Sequence, residues 1–166
     1  MNKYIFNSTY SSWQILVILL AVFIPTAYRP APIENETMKN KKIIRKAFER
    51  WEKGEGSFFD LLKDDAVWTI TGKSPVSKRY NSKKEFLDQV INPLNEKLSR
   101  KIFPVLLGLY SEDDMVIALW EGVATAKDGQ PYFNTYSWYM RMKDGMITEV
   151  TAFFDTISFT ELWVRN

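Results

Sequence analysis

The sequence predicts an α+β domain with helices on one face of an antiparallel sheet. Three observations predict it. An amphipathic stripe recurs with helical spacing from about residue 38, three turn signals divide the second half, and long aromatic and β-branched runs lie between those turns. Helices come first, a four-stranded meander follows, and a short helix closes the chain, the order expected when helices segregate to one side of a sheet.

Each element has its own signal. Ile43, Ile44, Ala47, Phe48 and Trp51 fall at i, i+1, i+4, i+5 and i+8, one apolar stripe on a first helix that Gly54 and Gly56 end. "SFFDLL" (57–62) starts a further turn with Ser57 placed to cap it, and "DAVWTITG" (65–72) reads as a short strand closed by Gly72. Ser82 and Glu85 have capping-box spacing ahead of Phe86, Leu87, Val90 and Ile91, and Pro93 is expected to end or kink that helix. "SEDD" (111–114), "KDGQ" (127–130) and "KDGM" (143–146) read as hairpin turns, and "TISFTELW" as the last helix.

Composition narrows the chemistry. The 166 residues are 46% apolar and 15% aromatic, enough for one well-packed domain. There is no cysteine and no histidine, so disulfides, thiolate chemistry and the commonest zinc ligand and general base are excluded. No metal or cofactor is expected, and acid–base work at neutral pH falls to Asp, Glu, Tyr or Lys. Of the 22 Lys and Arg residues only Lys3 and Arg29 lie in residues 1–32, which hold no acid, so the remainder balances the 20 acids. A neutral body argues against nucleic acid as the main partner, because phosphate binding requires a basic surplus.

The N-terminus is different. "WQILVILLAVFIPTAY" (13–28) is uncharged and apolar, yet shorter than the roughly 20 residues that cross a bilayer as a helix. It suits the apolar region of an export signal. Residues 1–32 are therefore expected to be a signal peptide or an N-terminal membrane anchor, and 33–165 the folded domain, exported or held at a membrane.

Candidate site residues come from strand register. In "YFNTYSWYMRM" one face gathers Tyr132, Asn134, Tyr136, Trp138, Met140 and Met142, large rings with an amide among them. Two-residue loops at Asp128-Gly129 and Asp144-Gly145 would set Val123 opposite Asn134, Glu121 opposite Tyr136, Tyr136 opposite Phe153, and Asn134 opposite Asp155. One face then carries Glu121, Asn134, Tyr136, Trp138, Phe153 and Asp155, and a bulge in either hairpin would flip part of the set. An apolar wall with few polar groups is the pattern of a small-molecule site. Asp155, Glu121 and Tyr136 are the catalytic candidates; Asn134, Trp138, Trp68, Trp120 and Phe153 are the ligand-binding ones. Asp155 also precedes "TISFTEL", where it can cap the last helix instead.

The stretches "LLKDDAVWTITGKSP" (61–75) and "VIALWEGVATAKDGQPYFNTYSWYMRMKDGMITEVTAFFDT" (116–156), with the helix before them, resemble SnoaL-like, ketosteroid isomerase-like proteins of the nuclear transport factor 2-like (NTF2-like) superfamily. The resemblance spans about residues 38–165. It implies a cone-shaped α+β fold, a strongly bent sheet packed on N-terminal helices with a pocket inside, and a homodimer through the outer sheet face. SnoaL-type cyclases use an Asp base, for which Asp155 is the candidate. The acids and Tyr of the steroid isomerases have no counterpart, since Ile70, Trp138 and Ala47 or Phe48 stand near those positions. Three functions stay open: an enzyme of isomerase, cyclase or hydrolase type, a non-catalytic binding protein for an apolar metabolite, and a membrane-tethered dimeric interaction module.

Overall fold

A computed structural model describes residues 36–165. The expectations for residues 1–32 lie outside the described residues. No helix among those described is long and apolar enough to cross a membrane.

Helix α1 spans Glu36–Glu52 and buries Asn40, Ile44 and Phe48 on the face that the apolar stripe defines. A 3-10 turn, Phe58–Leu61, follows. Ser57 caps it, its Oγ accepting from Phe59 N–H while Asp60 accepts from Ser57 N–H. Strand β1 (Leu62–Ile70) and the short β2 (Arg79–Tyr80) come next. Helix α2 (Lys83–Phe86) starts at Ser82, whose Oγ accepts from Glu85 N–H at 3.1 Å.

Pro93 does not end this helix. The chain passes through a π-helical turn, Leu87–Ile91, into α3 (Asn92–Glu96), with Asn92 N–H donating to Leu87 C=O. Widening the turn just before the proline accommodates a residue that has no N–H to donate and would crowd the preceding turn. The helix thereby carries Val90 and Leu94 into the core.

Strands β3 (Leu98–Glu112), β4 (Met115–Ala126), β5 (Pro131–Lys143) and β6 (Met146–Phe154) form the expected meander, and α4 (Thr156–Val164) closes the domain. Among the described residues the strands join in one sheet, ordered β2-β1-β6-β5-β4-β3. The sheet is antiparallel except where β1 runs parallel to β6, so it is mixed rather than wholly antiparallel. The helices of α2 and α3 lie in the connection between β1 and the meander. Irregularities interrupt β1–β6, β3–β4 and β5–β6, and such bulges increase strand bend and twist.

The inner face is aromatic. Phe48 on α1 meets Phe58, Trp120 and Trp138 at ring-centroid distances of 5.0, 5.8 and 6.1 Å. Trp68 stacks on Phe86 at 4.1 Å, and Trp120 on Tyr136 at 4.0 Å. Helix and sheet are thus joined by rings whose burial and edge or offset contacts dominate the core.

Candidate active site

Two turns with the same Lys-Asp-Gly sequence decide which residues face inward, and they are built differently. At 144–145 the loop has the expected two residues, both left-handed (φ 55° and 76°), and Lys143 faces Met146. At 127–129 the loop has three residues. Ala126 N–H donates to Gln130 C=O, Gly129 N–H to Ala126 C=O, and Gly129 takes φ 83°. This is a turn closed by a left-handed glycine, and it moves the β4–β5 register by one residue.

The register correction follows at once. Gly122, not Val123, lies opposite Asn134, and Trp120, not Glu121, lies opposite Tyr136. Glu121 pairs with Thr135 and Val105 on the outer sheet face, so it does not face the cavity. On β6 an irregularity near Thr148 adds a second shift, which sets Phe154 opposite Tyr136 and Phe153 opposite Ser137. Phe153 is therefore 45% exposed on the outer face, and Phe154 takes the inner place expected for it.

Asp155 is a helix cap. Its Oδ1 accepts from Ile157 N–H at 2.9 Å and its Oδ2 from Ser158 Oγ at 2.8 Å. The bonds from Ser158 and from the Ile157 N–H hold its carboxyl below the ordinary value of 3.8. A cavity base would need the opposite shift, and Asp155 is not among the residues lining the cavity.

Asn134 holds this corner together. Its Oδ1 accepts from Asp155 N–H at 3.0 Å, and its Nδ2 donates to Asp155 C=O at 2.9 Å and to the Tyr132 hydroxyl at 3.0 Å. The Tyr132 hydroxyl lies 2.7 Å from that of Tyr136. Either hydroxyl can donate in this bond, because the Tyr132 oxygen keeps a second lone pair beside the one that Asn134 fills. Burial pushes the Tyr136 phenol well above 10, so at neutral pH it is a donor and not a base. The amide planted among rings is thus a structural bridge between β5, the start of α4 and a buried tyrosine pair.

A cavity of about 570 Å³ lies where the end of α1, the α2–α3 helix and the inner sheet face meet. Trp68, Trp120, Tyr136 and Trp138 contribute to its floor, and each is closely packed, with 1–5% of its surface exposed. Trp51, Phe58, Phe59 and Phe86 complete the aromatic wall. The indole N–H of Trp120 is buried and makes no hydrogen bond, with the rings of Trp138 and Trp51 at 4.6 and 5.2 Å in edge contact. The charged lining residues, Glu52, Lys53, Arg100 and Lys101, are all solvent-exposed and mark the mouth. Among the described residues, no group of three or more Asp or Glu is placed to hold a metal ion.

Helical spacing alone places Trp51 on the α1 stripe, but the spacing gives no hint that this stripe reaches a cavity. Nothing in the sequence marks Tyr132 as the partner of Tyr136 beyond its place on the same strand face. The mouth residues carried no motif and were missed.

Solved structures share this architecture. Bal32a, from a soil-derived mobile gene cassette, aligns at 20% identity with a TM-score of 0.66, over 78% of this chain and 99% of that one. An NTF2-like protein of Burkholderia thailandensis aligns at 18% identity and TM-score 0.63, over 76% and 98% of the two chains. TerC, co-crystallised with polyporic acid, aligns at 16% identity and TM-score 0.62, over 76% and 98%. No family model matches the sequence, and no curated protein matches it. At these identities the likeness shows the fold, which is NTF2-like, as the sequence resemblance implies.

Proposed function

We propose that this protein binds a small aromatic molecule in the cavity beneath α1 and the α2–α3 helix. One observation carries the reading: an aromatic-floored cavity of about 570 Å³ whose only lining carboxylate among the described residues, Glu52, sits at the exposed mouth. That volume lies within the roughly 300–1,000 Å³ range of small-molecule pockets. Rings on the floor favour stacking or edge contact with a flat ligand. TerC, which shares the fold, was crystallised with polyporic acid.

The reading is tested by titrating two-ring and three-ring aromatic compounds into the full-length protein and following tryptophan fluorescence. Four of the cavity residues are tryptophans, Trp51, Trp68, Trp120 and Trp138, so an occupant quenches strongly and saturably. Linear, non-saturating quenching across the whole set overturns the proposal.

A catalytic reading remains, with different residues. With Asp155 capping α4 and Glu121 on the outer face, proton transfer in the cavity would rest on Glu52 and on donation by Tyr136. Turnover of a bound compound that is abolished by Glu52→Gln would favour it.

Two further proposals accompany binding. The outer face of β3, β4, β5 and β6 exposes Phe103, Val105, Val123, Phe133, Tyr139 and Phe153, and Phe103, Val123 and Phe133 are direct cross-strand neighbours. A second copy of the chain is the partner that would cover this surface, giving a homodimer. Residues 13–28 would act as an export signal or anchor, which N-terminal sequencing of the mature protein and its partition between soluble and membrane fractions would test.

A further inference from the structure

We infer that the ligand is an aromatic anion, held with its rings on the cavity floor and its acidic group at the mouth. The inference rests on the reading of the cavity as a small-molecule site and names the class of molecule it takes.

The mouth is electrostatically lopsided. Lys53, Arg100 and Lys101 line it against the single carboxylate of Glu52, whereas the chain beyond residue 32 has balanced charge. None of these three cations makes a side-chain hydrogen bond or ion pair among the described residues. Some other surface cations are engaged, Arg141 with Asp114 and Glu149 and Lys78 with Glu85, so these three are among the cations left open to a ligand. The side-chain amide of Asn95, half-buried in the same lining, is likewise unpartnered and can donate to an anion.

Two chain segments supply this ring of charge. Lys53 follows directly on α1, where Gly54 in a left-handed conformation (φ 73°) turns the chain, and Arg100 and Lys101 lie on the first residues of β3. The cations thus reach the opening from two elements, the end of α1 and the start of β3. An acidic group between them gains from all three, while its aromatic body reaches the apolar floor. The floor adds no competing negative charge, since Trp68, Trp120, Tyr136 and Trp138 carry no carboxylate.

Three matched probes test this on the full-length protein: 2-naphthoate, 2-naphthamide and 2-naphthylmethylammonium. They share one ring system and differ in the charge of the substituent. Naphthoate is expected to bind about three- to tenfold more tightly than the amide, the gain that a few partly exposed ion pairs supply. The ammonium probe is expected to bind most weakly. The naphthoate advantage should shrink as NaCl rises from ~50 to ~500 mM, because exposed charges are screened. The double variant Arg100→Gln/Lys101→Gln, at two exposed positions, should bring the naphthoate-to-amide ratio close to unity.

Equal binding of naphthoate and amide to the native protein overturns the anion assignment while leaving the aromatic cavity in place. Tightest binding of the ammonium probe overturns it too, and points to Glu52 as the group that selects. A ratio that survives the double variant removes Arg100 and Lys101 from the role. Failure of all three probes together with the rest of the two-ring and three-ring set overturns the small-molecule reading itself.

Discussion

The side-chain amide of Asn134 on β5 pairs with both backbone groups of Asp155 at the start of α4, accepting from its N–H at 3.0 Å and donating to its C=O at 2.9 Å. It replaces a strand neighbour at the point where β6 stops and the helix begins. Its remaining N–H goes to Tyr132, so one buried amide ties strand, helix and tyrosine pair together.

Asn134→Ala is therefore expected to destabilise the domain by about 2–3 kcal/mol, since several hydrogen bonds are lost and buried polar groups are left unpaired. Asn134→Asp keeps an acceptor for Asp155 N–H but cannot donate to the carbonyl. It also places a charge at a position that is 2% exposed. Its penalty should be larger at pH 7 than at pH 4. Urea unfolding of both variants at the two pH values checks this.

The capping role of Asp155 separates two substitutions. Asp155→Asn retains a capping oxygen and should cost little, whereas Asp155→Ala should cost about 1 kcal/mol. The carboxyl's folded value lies below its ordinary 3.8, so its stabilising contribution is complete above that pH and is lost as pH falls through the folded value. Neither substitution should alter ligand affinity at pH 7. A marked loss of binding in Asp155→Asn would return this residue to the cavity.

How much of this was legible in the sequence follows from what each signal contains. The stripe of α1, the Ser57 and Ser82 caps and the inward face of β5 all rest on local periodicity and turn chemistry, and the structure shows each of them. The β4 register does not. Ile117, Leu119 and Val123 are as apolar as Val116, Ala118 and Ala124, so the hydrophobic pattern favours neither alignment and the turn alone decides. Identical Lys-Asp-Gly turns then adopt two- and three-residue loops. One extra residue in the first of these turns carried Glu121 to the outside, and a second, near Thr148 on β6, exchanged Phe153 for Phe154. The cavity mouth was illegible for another reason: Lys53, Arg100 and Lys101 are remote or unremarkable in sequence and meet only through tertiary packing.

Buried phenols set an alkaline limit. Burial raises Tyr132 and Tyr136 above the ordinary value of 10.0, and burial with the nearby Glu85 charge pushes Tyr80 to about 12. The folded state keeps protons that the unfolded chain loses above pH 10, so this stability is complete below that pH and declines as pH rises towards the folded values. Phenolate absorbance should show this buried group ionising only at strongly alkaline pH, above the ordinary value of 10.0. The buried group should ionise together with loss of near-ultraviolet circular dichroism. A single unperturbed transition for all tyrosines would contradict the buried pair.

Gly122 makes room for the Trp120–Tyr136 stack. A Cβ there would lie 3.0 Å from Tyr136 Cε2, 3.1 Å from Ile102 Cγ2 and 3.2 Å from Trp120 Cζ3. All three neighbours are side chains, so Gly122→Ala should fold but with the stack displaced. A cost of about 1–3 kcal/mol is expected from overpacking. The denaturation midpoint reads the cost, and a reduced near-ultraviolet signal from the coupled rings reads the displacement.

The outer face makes the last prediction. Phe133 is 54% exposed and sits directly opposite Val123, which in turn faces Phe103, so an apolar row crosses three strands without cover. Patches of this kind mark association surfaces more often than bare solvent-facing sheet. Phe133→Glu alters a side chain that is more than half exposed, and the stability of the monomer should change little. Placed at the centre of a two-fold interface, each Glu would face an apolar surface and its own symmetry mate, weakening the dimer by about tenfold or more. Sedimentation equilibrium of the native protein and the variant separates the cases. A native protein that is monomeric at micromolar concentration removes the dimer proposal. A native dimer untouched by Phe133→Glu moves the interface to another face.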